Sequence, residues 1–169
     1  MRNFVIGFVV AIVLLGGGFY LYARLGFINP SADIPVSSFE ASQAMAILDN
    51  SIGRRAPEMK NPVPADEENL AAGMKLYQSN CAGCHGDINH AESSLAESFY
   101  PRAPQFQHEA PDMPENQNFY LIKHGIRWSG MPAWKQSMAD RQIWQVCAFL
   151  GHMNKLPPDV EQQWRSVAK

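Results

Sequence analysis

The pentapeptide Cys81-Ala82-Gly83-Cys84-His85 places the strongest constraint on how this chain can fold. Two thiols three residues apart, followed directly by a histidine, have the spacing that covalent haem attachment requires. Each thiol adds to one porphyrin vinyl group, and the imidazole binds the iron from below. We therefore expect one covalently bound haem c, held by Cys81, Cys84 and His85, with the chain folded around this flat apolar ring.

A bare CxxC pair has two other uses, as a redox dithiol and as half of a zinc site. The redox use normally accompanies a βαβ pattern, which the sequence lacks. A structural zinc site needs a second pair of ligands, and the sequence contains neither another Cys pair nor an HxxxH. The third cysteine, Cys147, leaves no disulfide framework. It lies on an apolar helical stripe, which predicts a small buried side chain.

An uncharged apolar run extends from residue 4 to residue 23. Twenty residues at about 1.5 Å each give roughly 30 Å, the thickness of the hydrocarbon core of a bilayer. A cleaved signal peptide, with Arg2 as its basic start, is the alternative. The run exceeds the usual apolar region of about 7–15 residues, and no clear cleavage site follows. Tyr20 and Tyr22 suit an interfacial aromatic belt. We expect residues 4–23 to anchor the protein in the lipid bilayer.

Length and charge limit the classes of function. At 169 residues the chain is long enough for one domain and not comfortably two. Its formal net charge of −2 gives no indication of a nucleic-acid partner, so we expect none. The sequence predicts a transmembrane anchor at 1–25, a connector at 26–65 and a haem domain at 66–169.

The connector contains several prolines, which disfavour helix, and one helical stretch. Apolar residues from Phe39 to Ile52 recur at near-helical spacing, and Ser37 or Ser38 suits the N-cap position. An isolated helix of this length is marginal in water, so we expect it to pack on the membrane surface, the haem domain or another subunit. A flexible connector with a span of about 35 Å is the alternative.

Three helices are predicted in the haem domain, and no strand pattern accompanies them. The first leads from the acidic residues at 66–68 into the haem motif, the second covers 115–124, and the third covers about 140–153 and ends before Pro157-Pro158. Gly73 in the first helix is expected to allow close approach of the third, with the Phe149 ring filling the notch. The fold class is therefore all-α.

The glycine-rich loop after the second helix holds Met131 between Gly130 and Pro132. This is a poor place for a core methionine, whereas a thioether is a soft ligand that suits haem iron. We predict Met131 as the axial ligand opposite His85. The nearest rivals are Met113 and Met138, and ligation by two histidines would instead use His90, His108, His124 or His152.

The CAGCH motif, the helix before it, the IKHGI…SGMPAW loop and the IWQVCAFL helix together resemble a class I c-type cytochrome in membrane-anchored, single-haem form. The resemblance covers about residues 66–155. It implies a cytochrome c-like haem domain preceded by one transmembrane helix, thioether bonds from Cys81 and Cys84, and axial ligation by His85 and Met131.

The resemblance also implies roles for four residues near the haem. The Pro104 carbonyl orients His85, and Arg102 pairs with a haem propionate, with a solvated surface arginine as the alternative. Trp128 and Trp134 are expected to line the haem edge, with ordinary core packing as the alternative. Ala139 stands where a Ser or Thr helix cap is usual in such families, so the last predicted helix lacks a hydroxyl cap at its start.

With both axial positions filled by side chains, the iron has no open site. We therefore expect an electron carrier rather than an enzyme, passing single electrons between redox proteins in or at the membrane. The resemblance implies attachment outside the cytoplasm, hence a single-pass protein of the bacterial inner membrane with its haem domain on the periplasmic face. One alternative is a permanent subunit of a membrane respiratory oxidoreductase. The other is a haem sensor or peroxidase-like enzyme, in which Met131 must leave the iron.

Overall fold

The computed structural model describes residues 1–88, 93–106 and 110–167, and within these ranges every regular element is a helix. The all-α prediction is confirmed. The helices are α1 (Arg2–Arg24), α2 (Ser38–Arg55), α3 (Glu67–Asn80), α4 (Ala82–His85), α5 (Ser94–Glu97), α6 (Glu115–His124), α7 (Asp140–His152) and α8 (Pro158–Val167), with short 3-10 turns at Trp134–Gln136 and Met153–Lys155.

The chain divides into two compact units, Met1–Ser31 and Ala32–Lys169. The first unit is built on α1, a 23-residue helix with no acidic residue in its first turn and no buried residue. Its length and apolar composition suffice to cross a membrane, which is consistent with the predicted anchor. After the helix ends, the Phe27 ring stacks on Tyr22 with ring centroids 5.4 Å apart.

In the second unit, α2 is the helix that the sequence predicted in the connector. Ser37 is its N-cap, and the Ser37 hydroxyl accepts a hydrogen bond from the Glu40 N–H at 3.1 Å. The helix packs against α6 and buries Ile52, so of the predicted docking surfaces the haem domain is the one it contacts. Phe39 and Ile47 on the same helix stay largely exposed.

The packing of α3 along α7 forms the centre of the second unit. A Cβ added at Gly73 would lie 2.1 Å from the Gln145 carbonyl oxygen and 3.0 Å from the Phe149 Cβ. The predicted close approach at Gly73 is confirmed, but the notch holds the Gln145 carbonyl, so the choice of the Phe149 ring was wrong. That ring instead packs 5.5 Å from Tyr77 and 5.1 Å from Trp164, centroid to centroid.

The helix α6 has the predicted bounds, beginning after Pro114 and ending at Gly125. Its Phe119 ring stacks on Trp144 of α7 with centroids 4.0 Å apart. The helix α8 was not predicted, because the sequence analysis treated the two prolines before it only as a stop signal. Pro158 begins α8, and the helix buries Val160 and Trp164 against the core.

Cys147 lies fully buried in the hydrophobic core, as its place on the apolar stripe predicted. Burial raises the pKa of its thiol far above the ordinary value. The thiol therefore stays protonated and unreactive, and its role is packing.

Candidate haem site

The CAGCH motif is wound into a single turn at the junction of α3 and α4. The Cys81 N–H donates to the Tyr77 carbonyl at 2.7 Å, and the Cys81 carbonyl accepts from the N–H groups of Cys84 at 3.0 Å and His85 at 2.9 Å. Cys81 is buried and Cys84 is half-buried, and neither is in a disulfide. Burial, and to a smaller extent the nearby Cys84, raises the pKa of Cys81 to about 12. The helical turn thus holds both thiols and the imidazole close together.

The backbone carbonyl groups at the end of α4 all accept hydrogen bonds from other parts of the chain. The last carbonyls of a helix have no partner within it, and here the carbonyls of residues 83–86 accept four hydrogen bonds in succession. The donors, in that order, are the Ser93 hydroxyl at 2.6 Å, the Gln105 amide at 2.8 Å, the Phe106 N–H at 2.8 Å and the Tyr77 hydroxyl at 2.8 Å. This satisfied framework fixes the turn that carries the motif.

The His85 ring is held in one orientation by its Nδ1 atom, which lies 2.8 Å from the Pro104 carbonyl oxygen. A carbonyl can only accept, so Nδ1 carries the proton and Nε2 has the free lone pair. The ring also stacks on Phe106, with centroids 4.9 Å apart and planes 5° from parallel. Burial lowers the pKa of His85, and the hydrogen bond to Pro104 offsets part of that effect. The lowered pKa favours the neutral imidazole, which is the form that binds metals.

The loop that carries Met131 folds back on itself. Gly125 has φ +67°, a conformation that favours glycine, and a Cβ there would lie within 2.8 Å of the Pro132 backbone. The Ile126 N–H donates to the Met131 carbonyl at 3.1 Å, and the Met131 N–H donates to the Ser129 hydroxyl at 3.1 Å. Met131 itself is partly buried against the same hydrophobic core as Cys81.

The segment after α5 contacts this loop at Gly130. A Cβ at Gly130 would lie 2.6 Å from a ring carbon of Phe99, so the ring needs a glycine there. Pro104, whose carbonyl orients His85, follows Phe99 by five residues. One stretch of chain therefore reaches from the Met131 loop to the imidazole.

The remaining predicted site residues have varied surroundings. Arg102 forms an ion pair with Glu97 at 3.3 Å, and both side chains are largely exposed. Trp134 begins a 3-10 turn and is partly buried against the core. Trp128 is 90% exposed, so its alternative assignment to the core is wrong.

The rival ligands lie elsewhere on the fold. Met138 is buried in the core and Met113 is half-buried. His124 packs its ring on Tyr120, and the His152 Nδ1 lies 2.8 Å from the carbonyl of residue 148 on its own helix. The predicted rivals His90 and His108 lie outside the described residues.

Sequence reasoning did not single out the residues that support the motif turn. Tyr77 was placed on the apolar stripe of α3, but nothing in the stripe showed that its hydroxyl would bind the Gly86 carbonyl. Gln105 and Phe106 directly follow Pro104, and that adjacency was the one available signal. No sequence signal pointed to Ser93, because the hydrogen bond from its hydroxyl to the carbonyl of residue 83 joins two positions that no local pattern relates.

Comparison with known proteins agrees with this geometry. The model of a family described as cytochrome c oxidase, cbb3-type, subunit III, matches residues 68–150. Cytochrome c6 of Synechococcus elongatus is 29% identical over 84 residues, which cover 48% of this chain and 86% of the relative. These two matches support a class I c-type cytochrome. Cytochrome c6 of Thermosynechococcus vestitus (strain NIES-2133 / IAM M-273 / BP-1) is also 29% identical over 84 residues, 48% of this chain and 67% of the relative.

The region that the family model matches runs from α3 through most of α7 and includes the CAGCH turn and Met131. The family transfers electrons and implies haem c as the cofactor. The residues present fit that group. The thiols of Cys81 and Cys84 lie in one helical turn and form no disulfide, and His85 is held through Nδ1 with Nε2 free. The thioether of Met131 lies in a loop that a backbone hydrogen bond closes.

Proposed function

We propose that this chain is a membrane-anchored cytochrome that carries single electrons through one covalently bound haem c. Cys81 and Cys84 would hold the haem by thioether bonds, and His85 and Met131 would be its axial ligands. The observation that carries the proposal is the hydrogen bond from His85 Nδ1 to the Pro104 carbonyl, because it presents Nε2 as a fixed ligand next to two thiols. Bound haem supplies a one-electron couple between Fe(II) and Fe(III).

The chain's own residues suit electron transfer better than catalysis. Two side-chain ligands would leave no coordination position for a substrate, which supports a carrier rather than an enzyme. The hydrogen bonds that fix residues 83–86 hold His85 in place, so its position need not change between redox states. The half-buried Trp134 would cover the haem edge. Arg102 is exposed and forms an ion pair with Glu97, and it would also pair with a haem propionate.

Membrane attachment and location are part of the same proposal. The apolar α1 supports a single-pass anchor through residues 4–23, and attachment of haem c outside the cytoplasm supports a haem domain on the periplasmic face of a bacterial inner membrane. On this view residues 1–25 are the anchor, 26–65 the connector and 66–169 the haem domain. The partners would be redox proteins of a respiratory chain in or at that membrane.

The ligand assignment is tested by absorption spectra of the reduced and oxidised full chain in detergent, for wild type and Met131→Ala. Wild type is expected to be low-spin, with a sulfur-to-iron band near the red end of the visible spectrum that Met131→Ala removes. Met113→Ala, a half-buried methionine outside the loop, is the control and is expected to keep the band. Survival of the band in Met131→Ala would show that another residue ligates the iron, and a native mass without haem would refute the whole proposal.

A permanent subunit of a respiratory oxidoreductase is the second candidate. The matching family model is described as an oxidase subunit, and α2 leaves Phe39 and Ile47 exposed, within about 80° of each other around the helix. Exposed apolar side chains on one side of a helix are expected on a subunit that packs against others. Purification in mild detergent separates the two candidates, since a carrier is recovered as a lone chain and a subunit as a stoichiometric complex.

A further inference from the structure

The second half of the connector is fixed to the helices of the haem domain. The Asn61 amide donates to the Glu115 carboxylate at 2.6 Å and to the Trp144 carbonyl at 3.0 Å, so it joins the connector to α6 and α7. The Asn116 amide donates to the Pro57 carbonyl at 2.9 Å. These bonds and the packing of α2 on α6 hold α2 against the haem domain along one side.

The opposite side of α2 faces away from the haem domain. At about 100° per residue, the midpoint between Phe39 and Ile47 lies opposite Ile52, the residue that α2 buries. We define the outward side as the residues within about 40° of that midpoint, and all of them are exposed. They are Phe39, Gln43, Ile47, Asn50 and Arg54. The outward side therefore combines two large apolar side chains, two amides and one cation, with Glu40 and Ala46 at its edges.

A lipid surface suits the outward side better than a protein partner does. Phe39 is 74% exposed and Ile47 is 70% exposed, so covering them would remove apolar surface from water. A stable protein interface takes about 20–30 residues from each partner, whereas the outward side offers five. A helix in the headgroup region inserts its apolar side chains by about 5–10 Å and keeps its cations among the phosphates.

The segment before α2 has a similar apolar character and begins where α1 ends. Thirteen residues, 25–37, separate the two helices, and Asp33 is the one charged residue among them. Five large apolar side chains in this segment are exposed: Leu25, Phe27, Ile28, Ile34 and Val36. Thirteen residues span at most about 45 Å, so the lipid around α1 lies within reach of α2. A contact made within one chain needs little affinity of its own, because the connection gives it a high effective concentration.

We propose that the outward side of α2 docks on the lipid headgroup region of the bilayer that holds α1, with Phe39 and Ile47 inserted and Arg54 among the phosphates. The inference rests on the proposed membrane attachment and extends it by giving the haem domain a second, reversible contact with lipid. Because α2 is fixed to α6 and α7, docking would determine which side of the haem domain faces the bilayer. The haem domain would then present a constant orientation to redox partners in the same membrane.

The docking is tested by the accessibility of single cysteines on the full chain in vesicles of phosphatidylcholine and phosphatidylglycerol. A charged maleimide labels thiols in water but not in lipid, and peptide mass spectrometry gives the rate at each site. Protection is the rate in the urea-unfolded chain divided by the rate in vesicles. Ile47→Cys is expected to be protected about tenfold more than Asp49→Cys, which is exposed on the flank of the same helix.

Two neighbouring arginines provide a matched pair of variants in the Ile47→Cys background. Arg54→Gln removes the cation of the outward side. Arg55→Gln removes a cation about 120° away around the helix, where Arg55 donates to the Ser51 hydroxyl at 2.9 Å. Arg54→Gln is expected to lower the protection about fivefold, the factor for one cation at an anionic surface, and Arg55→Gln less than about twofold. Vesicles of phosphatidylcholine alone are expected to remove the difference between the two variants.

Three results would overturn the inference. Equal protection of Ile47→Cys and Asp49→Cys would show that the outward side makes no contact with lipid. Protection that rises with the protein-to-lipid ratio, together with a dimer on sedimentation, would assign the outward side to a second copy of this chain. Protection that persists in detergent with a co-purified protein would assign it to a fixed subunit. Failure of the proposed function looks different. Without an anchor the chain would not float with the vesicles, and without haem Cys81 and Cys84 would also take up maleimide in urea.

Discussion

Substitution of Gly73 by alanine tests the packing of α3 on α7, on which the position of the haem motif depends. The new Cβ would lie 2.1 Å from the Gln145 carbonyl oxygen, whereas ordinary contact begins at 3.4 Å, so the helices would have to part by about 1.3 Å. The obstacle is backbone and cannot rotate away. Overpacking of this kind costs about 1–3 kcal/mol, and we take the upper end because a main-chain atom is involved. Alanine regains about 1 kcal/mol of helix propensity, which leaves a net loss of about 2 kcal/mol.

Gly53→Ala is the matched control, because Gly53 also lies within a helix but has no atom within 4 Å of an added Cβ. The same gain in helix propensity then stands alone, and we expect Gly53→Ala to raise the free energy of unfolding by about 0.5–1 kcal/mol. Urea unfolding followed by far-ultraviolet circular dichroism measures both variants on the full chain in detergent. If Gly73→Ala proved as stable as wild type, the close approach of the two helices and the argument built on it would be refuted.

Two further predictions concern the C-terminal helix and His124. Trp164→Ala is expected to destabilise the protein by about 3–5 kcal/mol in the same urea assay, because the ring fills the space between two core aromatic rings, and a loss under 1 kcal/mol would show that α8 is dispensable. Burial, and after it the positive charges of Lys135 and Lys123, lower the pKa of His124 in the folded protein. The neutral ring therefore contributes to stability above the unfolded-state pKa, and this contribution is lost as pH falls toward the folded-state pKa. We expect Lys135→Gln to raise the pKa of His124 in an NMR titration, and an unchanged value would refute the proximity of the two side chains.

Several elements were predictable because their signals are local. The bounds of α6 follow from Pro114 before it and Gly125 after it, and both act within a few residues. The start of α2 follows from the Ser37 cap. The expectation of haem c also comes from the motif spacing, since thiol and imidazole chemistry depends on which side chains are adjacent, and the family match supports that cofactor. Ala139 is the N-cap residue of α7 although it has no hydroxyl, and the Gln142 side chain accepts a hydrogen bond from its N–H at 2.9 Å.

The errors of sequence reasoning occur where two distant segments meet. Pro158 can end one helix or begin another, and Val160 and Trp164 decide in favour of α8 only because the α3–α7 surface offers them a place to be buried. Likewise, a glycine notch shows that something approaches closely, but only the helix crossing decides that a carbonyl of Gln145 fills it. The docking of α2 on α6 depends in the same way on the shape of its partner.

The sequence alone determined the helical class, the apolar span and the set of groups suited to haem, because helical periodicity, length of the apolar run and ligand chemistry are properties of neighbouring residues. Tertiary structure decided how those groups are held. It placed the Pro104 carbonyl against His85 Nδ1, bound the four carbonyls of residues 83–86, and left Trp128 exposed in a strained turn. Each of these depends on contacts between segments far apart in the chain, which no local pattern records.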